Sequence, residues 1–135
     1  MKIPTLITFA LLTLSQSCGT RGDDKQSEDQ NDALYQEVMS IHDEVMPRMD
    51  EIYRIRQELV RQIEEAPEMV EERRRAIEAR IIKLDSAADA MMVWMRQFNP
   101  PDSLEGRETR NYLEEQKEKI TEVRDLLLEA INATE

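Results

Sequence analysis

The sequence predicts an all-α protein, an antiparallel three-helix bundle of coiled-coil character, and three observations carry that expectation. Glycine is scarce: among 135 residues there are three, Gly19, Gly22 and Gly106, whereas a β-rich fold needs turn glycines. Large apolar residues recur at steps of three and four over three long stretches, the spacing of one turn of helix at a time. Two proline-bearing breaks, Ala66-Pro67 and Asn99-Pro100-Pro101, separate those stretches at similar spacing. Charged residues make up 35% and aromatic residues 4%, a balance that suits long solvated helices better than sheets.

The first element, residues 1–17, has the anatomy of an export signal. Lys2 supplies a positive charge, Ile3 to Leu14 form an apolar run, and Ser15-Gln16-Ser17 is a small polar stretch of the kind found at cleavage sites. The run is too short to cross a bilayer, which takes about 20 apolar residues. It ends at Cys18, the single cysteine of the chain. Small residues leading into a cysteine resemble a lipobox, in which that cysteine is acylated and becomes the mature N-terminus. The common pattern puts Leu three places before the cysteine, whereas here Ser15 holds that place and Leu14 lies one further back. An ordinary secretory signal is the competing reading. Acylation is preferred because an unpaired thiol is awkward in an oxidising compartment. Cys18 is thus the expected lipidation site, carrying palmitate-type chains that anchor the protein in a membrane. Gly19 in the following place favours an outer-membrane address by analogy with the sorting rule in which Asp there retains a lipoprotein at the inner membrane.

Residues 18–31 read as the lipidated cysteine and a disordered acidic tether, since Gly19 to Asn31 include no large apolar side chain. Asp23-Asp24 resembles a surface-export signal of some Bacteroidota lipoproteins, and Arg21-Gly22-Asp23 is read as a chance triplet.

The domain proper is expected over 32–135, with helices over about 32–65, 67–98 and 103–133. In the first, Leu34, Val38, Ile41, Val45, Ile52, Leu59 and Ile63 form the apolar stripe, flanked by Tyr35, Met39, His42, Met46, Met49 and Tyr53. Glu44 with Arg48 and Asp50 with Arg54 are favourable pairs four apart. Pro47 interrupts this helix. Mid-helix proline costs about 3 kcal/mol and frees the carbonyl of Asp43, so it either bends the helix or starts a second segment. Pro67 is placed to open the second helix, whose stripe is Ile77, Ile81, Leu84, Ala88, Met91, Met95 and Phe98. Asp102 or Ser103 can cap the third, whose stripe is Leu113, Ile120, Val123, Leu127 and Ala130 or Ile131. Three helices of about 45 Å joined by tight turns make an antiparallel bundle. The rival arrangement is an intermolecular coiled coil, and a homo-oligomer of hairpins fits the same pattern.

The formal net charge is −11, which argues against nucleic acid and anionic lipid headgroups as partners. A phosphate-cradling glycine loop, a nucleophile elbow and a Glu-x-x-His pair are all missing from the sequence. No enzymatic activity is therefore expected. Paired carboxylates such as Glu64-Glu65, Glu71-Glu72 and Glu114-Glu115 fall opposite the apolar stripes and read as solvated surface.

One constellation stands apart. Met39, His42, Met46 and Met49 share a face of the first helix, and Met91, Met92 and Met95 cluster on the second. Reflection about a turn at residues 66–67 puts His42 level with Met91, and Met39 with Trp94. A histidine, thioethers and an indole at one level resemble the Cu(I) and Ag(I) sites of periplasmic copper chaperones, because soft thioethers select Cu(I) and an indole face can sit against a cation. Core packing by flexible methionines is the preferred reading of the same residues. Ser103, in Asp102-Ser103-Leu104, resembles the acceptor of Bacteroidota O-glycosylation, as does Ser86 in Asp85-Ser86-Ala87. Asn132-Ala133-Thr134 matches an N-glycosylation sequon.

The segments from His42 to Met49, Met91 to Phe98 and Tyr112 to Ile120 resemble those of small helical Bacteroidota lipoproteins, some labelled "viral A-type inclusion protein". The resemblance spans roughly residues 33–131 and implies a lipoprotein of unknown function, with no site residues attached. The expected role is a non-enzymatic, lipid-anchored protein of the cell envelope, at the periplasmic or surface face of the outer membrane. There it would serve as a helical module that binds another envelope protein or acts as a spacer. The alternative is a periplasmic Cu(I)/Ag(I)-binding protein using the Met/His cluster.

Overall fold

The computed structural model describes residues 20–133, with side chains from Lys25 onward. The export segment 1–17 and Cys18 lie outside the described residues. The described residues form an all-α bundle of four helices: α1 (Thr20–Val45), α2 (Arg48–Glu65), α3 (Glu71–Gln97) and α4 (Gly106–Asn132). No strand occurs among the described residues, and none of their helices is long and apolar enough to cross a membrane. α1 and α2 follow one another as a first rod, α3 returns, and α4 runs back beside α1.

Residues 20–31 differ from expectation. The sequence predicts a disordered tether there, whereas these residues form the first turns of α1. Asp, Glu, Lys and Gln are tolerable helix formers, and this polar stretch extends a helix that is docked from Asn31 onward. Of residues 25–30 only Ser27 is partly covered. Asn31 itself is fully buried. Its Nδ2 donates to the carbonyls of Leu104 at 2.8 Å and Gly106 at 2.9 Å, tying α1 to the start of α4.

Pro47 divides the first rod into two helices. Val45 ends α1, Arg48 starts α2, and the step between them is a tight turn closed by Met49 N–H to the Met46 carbonyl at 3.1 Å. The break takes Arg48 away from Glu44, and Arg48 pairs instead with Glu51 at 3.1 Å. It also changes the rod's neighbours. α1 packs chiefly on α4, whereas α2 packs chiefly on α3.

The later junctions begin later than expected. Pro67 sits in a turn closed by Met69 N–H to the Ala66 carbonyl at 2.9 Å, and α3 opens only at Glu71. Pro67 thus serves at the second position of a turn, where its fixed φ fits, rather than as a helix opener. At the α3–α4 junction neither Asp102 nor Ser103 caps α4. Glu105 holds the N-cap position without a side-chain cap bond, and Gly106 follows with φ of +82°, a left-handed conformation that favours glycine.

The core follows the predicted stripes. Val38, Val45, Ile52 and Leu59 from the first rod meet Ile77, Leu84 and Met91 of α3, and Ile120, Val123 and Leu127 of α4. Each large side chain buried this way contributes about 1.5–3 kcal/mol relative to exposure. Exposed ion pairs mark the register between rods: Arg56–Asp85 at 2.6 Å joins α2 to α3, Lys83–Glu129 at 3.7 Å joins α3 to α4, and Lys117–Glu37 joins α4 to α1. Each is worth about 0–1 kcal/mol, so they report alignment more than they create it.

Candidate functional site

The most chemically distinctive region lies between α1 and α3. These two helices do not come close along their backbones, and long side chains fill the space instead. The Trp94 ring stacks on Phe98 with centroids 4.7 Å apart, and Phe98 in turn faces Tyr35 of α1 at 6.1 Å and Tyr112 of α4 at 6.3 Å. The His42 ring also lies 5.7 Å from the Trp94 ring. The chain's single histidine and single tryptophan are therefore neighbours. Tyr112 is further fixed by accepting the Asn99 N–H at its hydroxyl, 2.7 Å away, which ties this layer to the α3–α4 junction.

His42 is held at both nitrogens. Its Nδ1 is 2.9 Å from Asp43 Oδ1, and its Nε2 is 3.4 Å from Met95 Sδ. The imidazole side chain is 17% exposed, while Asp43 stands out in solvent at 72%. Trp94 is buried, and its Nε1 has no hydrogen-bond partner among the described residues.

The sequence register was off by about one helical turn. Reflection about residues 66–67 predicts His42 level with Met91, and Met39 with Trp94; the structure puts His42 level with Trp94 and Met95. The reason is the connection. A loop over residues 66–70 moves the point of reflection toward Met69, which slides α3 relative to the first rod. Met91 consequently sits fully buried in the core and takes no part in the His42 contact. Met46 packs partly against the core and, with Asp43 and Pro47, borders a shallow hollow of the surface. Met39 is half-buried. Sequence reasoning did not pair Asp43 with His42, although their adjacency was there to read.

No family model, curated protein or solved structure matches this chain.

Other candidate positions distribute as follows. Ser103 is exposed in the α3–α4 junction, where Glu105 N–H donates to its hydroxyl at 3.3 Å. Ser86 is exposed on the middle of α3 and borders a groove of about 200 Å³ with Ile82, Ala87, Leu126 and Ala130. Ile82 and Leu126 are conspicuously open there, at 64% and 49%. Thr134 of the sequon lies outside the described residues. Among the carboxylates, Glu58 is held below the usual range by hydrogen bonds from Arg61 and Gln62, and its partner Arg61 is held further into its charged form by Glu58 and Glu65. This is an exposed surface cluster on α2, formed by residues three and four apart. Among the described residues no three His, Cys, Asp or Glu side chains gather as a metal site.

Proposed function

We propose that this protein is a non-enzymatic envelope lipoprotein, anchored through acylated Cys18, whose helical bundle presents an acidic surface for contact with another envelope protein. The observation that carries the reading is how the bundle divides apolar from charged residues. One continuous core, from Val38 to Leu59 in the first rod and from Ile77 to Trp94 in α3, binds the helices into a rod. The carboxylates lie outside it, many of them paired along or between helices with Arg and Lys. A scaffold of this kind displays surface along its length. The α3–α4 groove, with Ile82 and Leu126 open to solvent, gives that surface an apolar strip. Anchoring at Cys18 would place the rod near a membrane; α1 starting at Thr20 leaves little slack between them.

Two measurements test this. Intact mass of the protein purified from its own membranes should show loss of residues 1–17 and the added acyl chains, and Cys18→Ala should move the protein out of the membrane fraction. An unmodified Cys18 removes the anchor from the reading. Affinity capture from envelope extracts should recover a partner that Ile82→Glu with Leu126→Glu releases. Recovery of none, with an inert monomer, leaves the spacer role alone.

A further inference from the structure

We propose that His42 and Met95 are the core of a binding site for one soft monovalent cation, Cu(I) or Ag(I), at the contact between α1 and α3. The inference is independent of the lipid anchor and of any protein partner.

The argument begins with lone pairs. The Asp43 carboxylate accepts hydrogen bonds and cannot donate when ionised, and a thioether sulfur only accepts. A neutral imidazole carries one N–H. If that proton sits on Nδ1 and is donated to Asp43 Oδ1 at 2.9 Å, the Nε2 lone pair faces the Met95 sulfur lone pairs at 3.4 Å with nothing between them. If the proton sits on Nε2, the Nδ1 lone pair faces a carboxylate. Either neutral tautomer leaves one contact unfavourable. A cation that accepts both lone pairs satisfies the set, and Asp43 then plays the part of the outer carboxylate that orients a metal-bound histidine. The competing occupant is a second proton on the ring.

The dimensions suit a metal. Taking the zinc distances of about 2.0 Å to nitrogen and about 2.3 Å to sulfur as a guide, a 3.4 Å separation between the two donors lets both reach one ion at a bent angle of about 105°. That angle belongs to three- or four-coordinate geometry, not to a linear pair, so a third donor is required. Met39 and Met46 stand one turn before and one turn after His42 on its face of the first rod, both half-buried. Met46 follows directly from the turn in which its N–H bonds the His42 carbonyl at 2.8 Å.

The donor set selects the ion. One imidazole and thioethers are soft and uncharged, which favours Cu(I) and Ag(I) over Ca²⁺, Mg²⁺ or Zn²⁺. The Trp94 ring is buried and lies beside the contact, 5.7 Å from the His42 ring, and an indole π-face tolerates a cation. The net charge of −11 raises the local concentration of any cation around the molecule.

The experiment is a competition titration of the full-length, detergent-solubilised protein against a chromogenic Cu(I) chelator under reducing conditions, repeated with Ag(I) as a redox-inert probe. The expected result is one equivalent bound with micromolar or tighter affinity, accompanied by a change in emission of Trp94, the chain's single indole. Met95→Leu, a volume-conserving change that keeps the fold, should weaken binding at least tenfold. So should His42→Ala, and so should Met39→Leu combined with Met46→Leu. Met91→Leu, in the core, should leave binding unchanged. Circular dichroism of each variant separates loss of ligand from loss of fold. No competition at micromolar affinity, or full affinity in Met95→Leu, overturns the site. Full affinity in the Met39/Met46 double variant overturns the three-donor geometry on which it rests.

Discussion

Asn31 and Gly106 show how much of this bundle hangs on single residues at helix ends. Asn31 spends both Nδ2 hydrogens on carbonyls at the entry to α4, in a place shielded from water. Asn31→Ala removes both hydrogen bonds from a fully buried position and should lower unfolding free energy by about 1–3 kcal/mol in urea denaturation. Asn31→Asp should cost at least as much, since a carboxylate cannot donate and would face two carbonyl oxygens. At Gly106 a Cβ would meet nothing within 4 Å, so the cost of substitution lies in the backbone alone. With φ at +82°, Gly106→Ala should destabilise by about 1–2 kcal/mol, and Gly106→Asn by less, because Asn tolerates left-handed backbone better. Thermal denaturation of the pair gives the ordering. Neither role was legible in the sequence. Asn31 reads there as the last residue of a polar tether, because its partners lie more than seventy positions away.

At the scale of the element, propensity and periodicity located the helices well, and their ends poorly. The stripes of α3 and α4 hold: Ile77, Leu84, Met91, Leu113, Ile120 and Leu127 are all fully buried. Leu84→Ala or Ile120→Ala should each cost about 2–5 kcal/mol, measured by denaturant midpoint. The breaks at Pro47, Pro67 and Pro100 were visible as prolines. What each proline does was less visible, since a turn and a helix start place similar demands on φ. α1 carries its own test. Of residues 25–30 only Ser27 is partly covered, whereas Asn31 is buried and tied to the start of α4. Native-state hydrogen exchange should therefore show little protection before residue 30 and protection approaching the global value around Val38 and Val45.

Over the whole molecule, charge dominates what the surroundings meet. The net charge of −11 makes copies of the chain repel one another near neutral pH. Near the sequence pI of about 4.6 that repulsion vanishes, while the strip at Ile82 and Leu126 stays open. Solubility should pass through a minimum there, read as turbidity against pH, and Ile82→Glu with Leu126→Glu should make the minimum shallower. The inter-rod ion pairs are exposed and screened, so raising salt should shift the thermal midpoint only slightly.

The sequence by itself determined the fold class, the faces that form the core and the places where the chain must turn. Those are local matters: side-chain period, glycine scarcity and proline position act within a few residues of themselves. The tertiary structure decided which methionine meets His42, which residue ties α1 to α4, and that the first rod changes neighbours at Pro47. Each of those depends on axial register between helices far apart in the chain. Register is set by the length of a connection and the summed fit of two packed faces, and a slide of one turn preserves every apolar stripe while exchanging every contact across it.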